Sequence, residues 1–189
     1  ATEGYLEPLV EALDKDSKVA SVQPKLLAQK DKSKFEYAGA AGGFLDKYGY
    51  PFCRGRIFEN VETDNHQYDE ESDVLWTTGA AMLVRRKEYL DNGGLDDRFF
   101  AHQEEIDLCW RLSSRGYKLR CIPSSILYHV GGGTLDASNP RKTFLNFRNN
   151  LCMIYKNAVD ANKILLIRFF LDYMAAAVYL LKGETGNVK

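Results

Sequence analysis

Residues 99–119 read "FFAHQEEIDLCWRLSSRGYKL" and crowd Glu104, Glu105 and Asp107 into the start of a helical pattern. Acids in a first helical turn complement the helix dipole, by about 0.3–1 kcal/mol each. A single acid serves that purpose, whereas several like charges together add repulsion. A crowded carboxylate is also what a general base requires. Two neighbours favour the chemical reading. "GGLDDRFF" supplies a tight turn and an aromatic wall ahead of the acids. His129 closes the apolar run "ILYH" before a glycine-rich loop, a frequent metal or substrate position in α/β sites. Helix electrostatics for the acids and a structural role for the histidine remain the competing readings.

The pattern around these residues predicts an α/β chain. Residues 4–14 place Leu6, Leu9, Val10 and Leu13 on one helical face, with Pro8 tolerable in the first turn. "VASVQPKLL" (19–27) reads as a strand that closes at Pro24. Residues 28–72 read as short hairpins and loops, a kind of segment that is often functional inside a compact domain. "DVLWTTGAAMLVRR" (73–86) reads as a strand broken at Thr78-Gly79, and "KEYLDNGGLDDRF" as a short helix stopped at Asn92-Gly93-Gly94. A helix over 104–115 buries Leu108 and Leu112, pairs Asp107 with Arg111 at i, i+4 and ends at Gly116. "YKLRCIP" and "SILYHV" read as two strands, and 141–157 as an amphipathic helix.

The last pattern, "ILLIRFFLDYMAAAVYLL", predicts a helix from a cap at Asp160 to Lys182. It is slightly short of the about 20 apolar residues of a bilayer span. Arg168 and Asp172 would each cost roughly 2.5–3.5 kcal/mol at a bilayer centre. Packing on a domain and lying on a membrane surface are the two expectations.

Composition narrows the function classes. The chain has 189 residues, 45% apolar and 27% charged, with a net charge of −1, as expected of one ordinary globular domain. No basic stripe is present, so nucleic acid is not an expected partner. Cys53, Cys109, Cys121 and Cys152 show neither CxxC pairing nor zinc spacing. Cys109 and Cys152 are expected as buried free thiols, in a reducing, cytoplasmic compartment.

The run "WTTGAAMLVRRKEYLDNGGLDDRFFAHQEEIDLCWRLSSRGYKLRCIPSSILYHVGGGT", followed by "RKTFLNFRNN", resembles the acceptor-side half of family 2 glycosyltransferases, bacterial rhamnosyl- and polysaccharide transferases above all. The resemblance covers 73–150 strongly and 4–27 moderately. It implies a partial GT-A fold: a mixed sheet flanked by helices over 1–158, then a C-terminal helix and tail over 159–189. It also implies inverting transfer of a sugar from a nucleotide-diphosphate donor to a saccharide or lipid-linked acceptor. Glu105 would be the base, where the family pattern has Asp, and Glu104 would orient the acceptor or the base. Asp107 and Arg111 would support the helix. Trp76, Thr78 and Gly79 fall in the family's acceptor strand, and Arg141 and Lys142 could close over the diphosphate. His129 would ligate Mn²⁺ or Mg²⁺.

The family's Asp-x-Asp half is expected immediately before residue 1 and is absent. The expectation is therefore a truncated piece, inactive alone and prone to self-association, of an enzyme at the inner face of the cell membrane. A non-catalytic carbohydrate-binding or membrane-docking module is the alternative.

Overall fold

The computed structural model describes residues 2–131 and 139–188. In chain order the helices and strands are α1 (Glu7–Lys15), β1 (Val19–Ala28), β2 (Gly43–Leu45), β3 (Pro51–Cys53), β4 (Arg56–Ile57), β5 (Asn60–Val61), β6 (Ser72–Val74) and β7 (Leu83–Val84). There follow α2 (Arg86–Asp91), α3 (Glu104–Ser114), β8 (Lys118–His129), α4 (Pro140–Asn157) and α5 (Ala161–Leu181). The main sheet runs β6-β8-β1-β7; β1 and β8 are parallel and the two outer strands antiparallel. A second, small antiparallel sheet, β2-β3-β4-β5, occupies the segment expected as hairpins.

Two strand expectations need correction, for one reason. β1 does not close at Pro24, and β8 is one strand rather than two. Pro24 pairs opposite Ile122, but its neighbour Lys25 pairs opposite Ile126. The residues between, including Pro123, leave the ladder as a bulge. Proline has no N–H to give a ladder, so a bulge is where a sheet tolerates it. There the sequence shows breaks and the fold continues.

The core has two parts. α1 packs Leu9, Ala12 and Leu13 against Val19, Val22 and Ile122. Leu6 and Val10, expected on the same face, are exposed. α3 packs Ile106, Leu108, Cys109 and Leu112 into a larger cluster with Ala20, Leu119, Cys121 and Met153. β1 is covered on both faces, so its polar residues need internal partners. Ser21 Oγ shares a 2.7 Å hydrogen bond with Thr77 Oγ1, and Lys25 Nζ sits 2.8 Å from Asp64 Oδ2. Cys109 is buried as expected, its thiol pushed up to about 12 by burial, whereas Cys152 lies on the exposed side of α4. Asp160 precedes α5 without capping it through its side chain.

Candidate active site

α3 runs back toward β8 through a turn of three residues, 115–117. Its first turn therefore lies toward the end of the sheet at which β8 finishes. That is the end where open α/β sheets hold ligands. The approach to α3 is strained: Phe100, His102 and Gln103 have φ of 65°, 71° and 68°. Left-handed backbone at three non-glycine residues in four persists only where surrounding contacts impose it, and such strain gathers at functional sites.

Those contacts come from α4. Asn149 Nδ2 donates to the carbonyls of Phe99 (3.0 Å), Ala101 (2.8 Å) and His102 (2.7 Å). Arg148 Nη2 donates to the carbonyls of Arg98 and Phe99, both at 3.0 Å. Asn150 Nδ2 donates to Gln103 Oε1 at 2.9 Å, and Gln103 Nε2 to the carbonyl of Asn146 at 2.9 Å. Three consecutive residues, Arg148-Asn149-Asn150, thus fix the segment before the acids. Sequence reading placed this run in a helix without assigning it a task. Its signal was the density of amides in "RNN", since a polar cluster on a helix face buried against a loop must hydrogen-bond something.

The helix itself is anchored through Asp107, which is fully buried. Its carboxylate meets Arg111 Nη2 at 2.8 Å, Lys156 Nζ at 2.9 Å and Asn157 Nδ2 at 2.8 Å. Arg111 also donates to the carbonyls of Asn92 and Gly94, tying the glycine turn to the same helix. Asp107 and Arg111 are brought together, as their spacing implies.

Glu105 faces the Thr78-Gly79 turn. Gln23 Oε1 accepts from Thr78 N at 2.9 Å, and Thr78 Oγ1 donates to the carbonyl of Ala38 at 2.6 Å, which fixes the turn. A methyl group added at Gly79 would sit 3.6 Å from the Glu105 side chain, ordinary contact, so that approach alone does not demand a glycine. Burial, and then the charge of Glu104, raise the Glu105 carboxyl to about 7. The backbone N–H groups of Glu105, Gly79 and Ile106 oppose the rise. Glu104 Oε2 and Glu105 Oε2 are buried and, among the described residues, have no hydrogen-bond partner.

The remaining candidates divide. Trp76 is only 4% exposed; its Nε1 donates to the carbonyl of Phe44 at 2.9 Å and its ring lies against Gly43. A Cβ at Gly43 would fall 1.9 Å from that ring, so no face is open for stacking on a sugar. Thr78 is likewise buried and shapes the turn rather than lining a surface. The aromatic ring exposed here is Phe100, 64% accessible, with the Arg141 guanidinium 4.9 Å from its centroid. Arg141 and Lys142, in the first turn of α4, therefore stand beside Phe100 and His102. Lys142 is close enough to His102 to oppose its protonation.

His129 ends β8, with Nδ1 3.2 Å from Oε1 of the buried Glu36 but out of hydrogen-bond alignment. A carboxylate behind an imidazole is the arrangement that orients a ligating histidine. Among the described residues no group of three or more His, Cys, Asp or Glu side chains is placed to hold a metal. His129 fits a cation only as one ligand in a set completed elsewhere. Most of the glycine-rich loop expected after it, 132–138, lies outside the described residues.

A mixed sheet with an acid-bearing helix start set toward its strand ends is how GT-A glycosyltransferases are built, and that is the fold class here. The chain belongs to the family described as Glycosyltransferase like family 2, whose sequence pattern matches residues 14–186. It is similar to the N-acetylglucosaminyl-diphospho-decaprenol L-rhamnosyltransferase of Mycobacterium tuberculosis, 37% identical over 65 residues, 34% of this chain and 21% of that protein. It is also similar to rhamnosyltransferase WbbL of Escherichia coli, 39% identical over 56 residues, 30% of this chain and 21% of that protein. A longer match joins it to the O-antigen biosynthesis protein RfbC of Myxococcus xanthus, 27% identical over 95 residues, 50% of this chain and 7% of that protein. The matched stretches thus span about a fifth or less of these relatives' own length.

Proposed function

We propose that this chain is the acceptor-side part of an inverting glycosyltransferase of surface-polysaccharide assembly, with Glu105 as the general base. The observation that carries this reading is the Glu105 carboxyl: buried, raised to about 7 and left with one unpartnered oxygen on a rigidly held helix start. A carboxylate of that basicity takes a proton from a hydroxyl far more readily than a solvated one near 4.5. The hydroxyl it deprotonates attacks the anomeric carbon from the face opposite the leaving diphosphate, which inverts the configuration.

The donor is a nucleotide-diphosphate sugar, and the acceptor a saccharide or lipid-linked saccharide. The rhamnosyltransferase relatives suggest a 6-deoxyhexose as the transferred sugar. Arg141 and Lys142 would meet a diphosphate reaching over Phe100, where two cations offset its charge. A Mn²⁺ or Mg²⁺ ion, bound with His129 as one ligand, would neutralise the leaving diphosphate. The reading also places the enzyme on the cytoplasmic face of a membrane, reached through α5. In a transferase acting on a lipid-linked acceptor, such docking shortens the search for substrate.

The full-length protein carrying Glu105→Gln should retain calorimetric binding of dTDP- and UDP-sugars with Mn²⁺ while transfer falls at least a thousandfold. Transfer within tenfold of wild type would remove Glu105 from the role of base.

A further inference from the structure

Among the described residues, seven buried side-chain nitrogen or oxygen atoms have no hydrogen-bond partner, and three of them fall within 102–105. They are His102 Nε2, Glu104 Oε2 and Glu105 Oε2. Native proteins pair nearly all such atoms, with protein, water or ligand, so a concentration of orphans in one tetrapeptide is a place where a ligand can bond. The Glu105 atom is accounted for by the attacking hydroxyl. The other two are not used by that step.

His102 is not adrift. Its carbonyl is held by Asn149 at 2.7 Å and its backbone lies at φ 71°, a conformation uncommon outside glycine. Its neighbour Gln103 is buried and doubly hydrogen-bonded, so the imidazole has little freedom to swing away. Burial and the Lys142 cation hold the imidazole below its ordinary pKa, and the Glu104 charge opposes them. A neutral imidazole carries one N–H donor and one acceptor nitrogen, and an ionised carboxylate only accepts. Such a pair matches a sugar hydroxyl, which gives one hydrogen bond and receives another.

We propose that His102 and Glu104 together bind a second hydroxyl of the acceptor, next to the hydroxyl that Glu105 deprotonates, so that the acceptor is a sugar ring presenting neighbouring hydroxyls. This rests on the transferase reading above and adds to it His102 as a binding residue and a requirement on the acceptor's hydroxyls. A lone alcohol or a terminal phosphate leaves His102 Nε2 and Glu104 Oε2 unpaired. A site built to hydrogen-bond a hydroxyl discriminates strongly against the analogue lacking it.

The test uses the full-length enzyme with octyl N-acetylglucosaminide as acceptor, alongside its mono-deoxy analogues. Removing the hydroxyl next to the attacked one should cost the wild type at least tenfold in kcat/KM for acceptor. His102→Ala should raise acceptor KM at least tenfold, leave donor KM within twofold, and lose most of the discrimination against that deoxy analogue. His102→Gln, which keeps a donor and an acceptor, should recover part of it. The proposal is overturned if the deoxy analogue reacts as well as its parent on the wild type, a measurement that needs no variant to fold. It is equally overturned if donor KM rises in place of acceptor KM. Absence of wild-type transfer to every glycoside counts instead against the transferase reading, and so is told apart from failure at His102.

Discussion

As the proposed base, Glu105 meets two local conditions that a solvated glutamate lacks. Its carboxyl is buried, and the charge that acts on it is that of another acid, Glu104. Both conditions favour the protonated form, and this sets a sign for stability. The folded-state value, about 7, lies above the ordinary 4.5. Between those two pH values the folded chain holds a proton that the unfolded chain has released, so stability falls as pH rises through the window and levels off above it. Glu105→Gln removes that loss. The variant should be more stable than wild type at pH 8, by on the order of 3 kcal/mol, and close to it near pH 4.5. Urea midpoints at the two pH values measure this directly. A variant less stable at pH 8 would show that the amides of Gly79 and Ile106 outweigh burial, and that the carboxylate is a structural anion rather than a base. The same protonation gives transfer an acidic limb centred near pH 7, with the rate falling tenfold per unit below it.

At the scale of elements, the site is a loop held open by a helix. Asn149 bonds three carbonyls of 99–102, and it holds His102 and the first turn of α3 in register with Gly79. Asn149→Ala leaves those carbonyls short of donors, and each unpaired buried polar group costs about 1–3 kcal/mol. The expected outcome is a loss of about 2–3 kcal/mol in global stability. Amide hydrogen exchange should quicken across 99–106, with protection in β1 and β8 lowered only by the global loss. Transfer should drop more than stability accounts for, because the left-handed backbone at Phe100, His102 and Gln103 relaxes once its restraints go. Unchanged exchange at 99–106 would place the clamp elsewhere. Much of this element was legible in the sequence: the acids at a helix start, the Asp107–Arg111 spacing and the helix over 141–157. The clamp was not legible, because it joins residues about 50 positions apart and its backbone conformation has no one-dimensional signature. The continuous strands were hidden for a related reason. Pro24 and Pro123 each read as a stop, and only their meeting at one bulge lets both strands pass. Trp76, which the resemblance sets in the acceptor strand, packs in the core instead, with Gly43 against its ring.

At the scale of the whole molecule, α5 is amphipathic in the unusual sense. Arg168 is its one buried residue, donating to the carbonyl of Tyr48 at 3.1 Å and to Asn150 Oδ1, with its guanidinium 3.7 Å from the Tyr50 ring centroid. Tyr50 OH closes the network on Asp172 at 2.7 Å. The polar stripe therefore faces the protein, while Phe169, Phe170, Tyr173 and Met174 each stand more than half exposed. The helix is long and apolar enough to cross a membrane by length and composition, with a mean hydropathy of 1.9. Its midpoint is tethered, however, and crossing would break every bond that Arg168 makes to the rest of the chain. A helix lying in the membrane surface keeps those bonds and covers the aromatics with acyl chains, as interfacial helices do. The chain should then sediment with vesicles of mixed phosphatidylcholine and phosphatidylglycerol and be released by alkaline carbonate. Full burial of a phenylalanine contributes roughly 1.5–3 kcal/mol. Replacing Phe169 and Phe170 together by serine should thus weaken vesicle binding at least tenfold while leaving the thermal midpoint within a few degrees, because neither ring packs in the core. Binding that resists carbonate would mean that α5 inserts across the bilayer and that the Arg168 network opens. Binding unaffected by the double substitution would assign the exposed face to another protein surface.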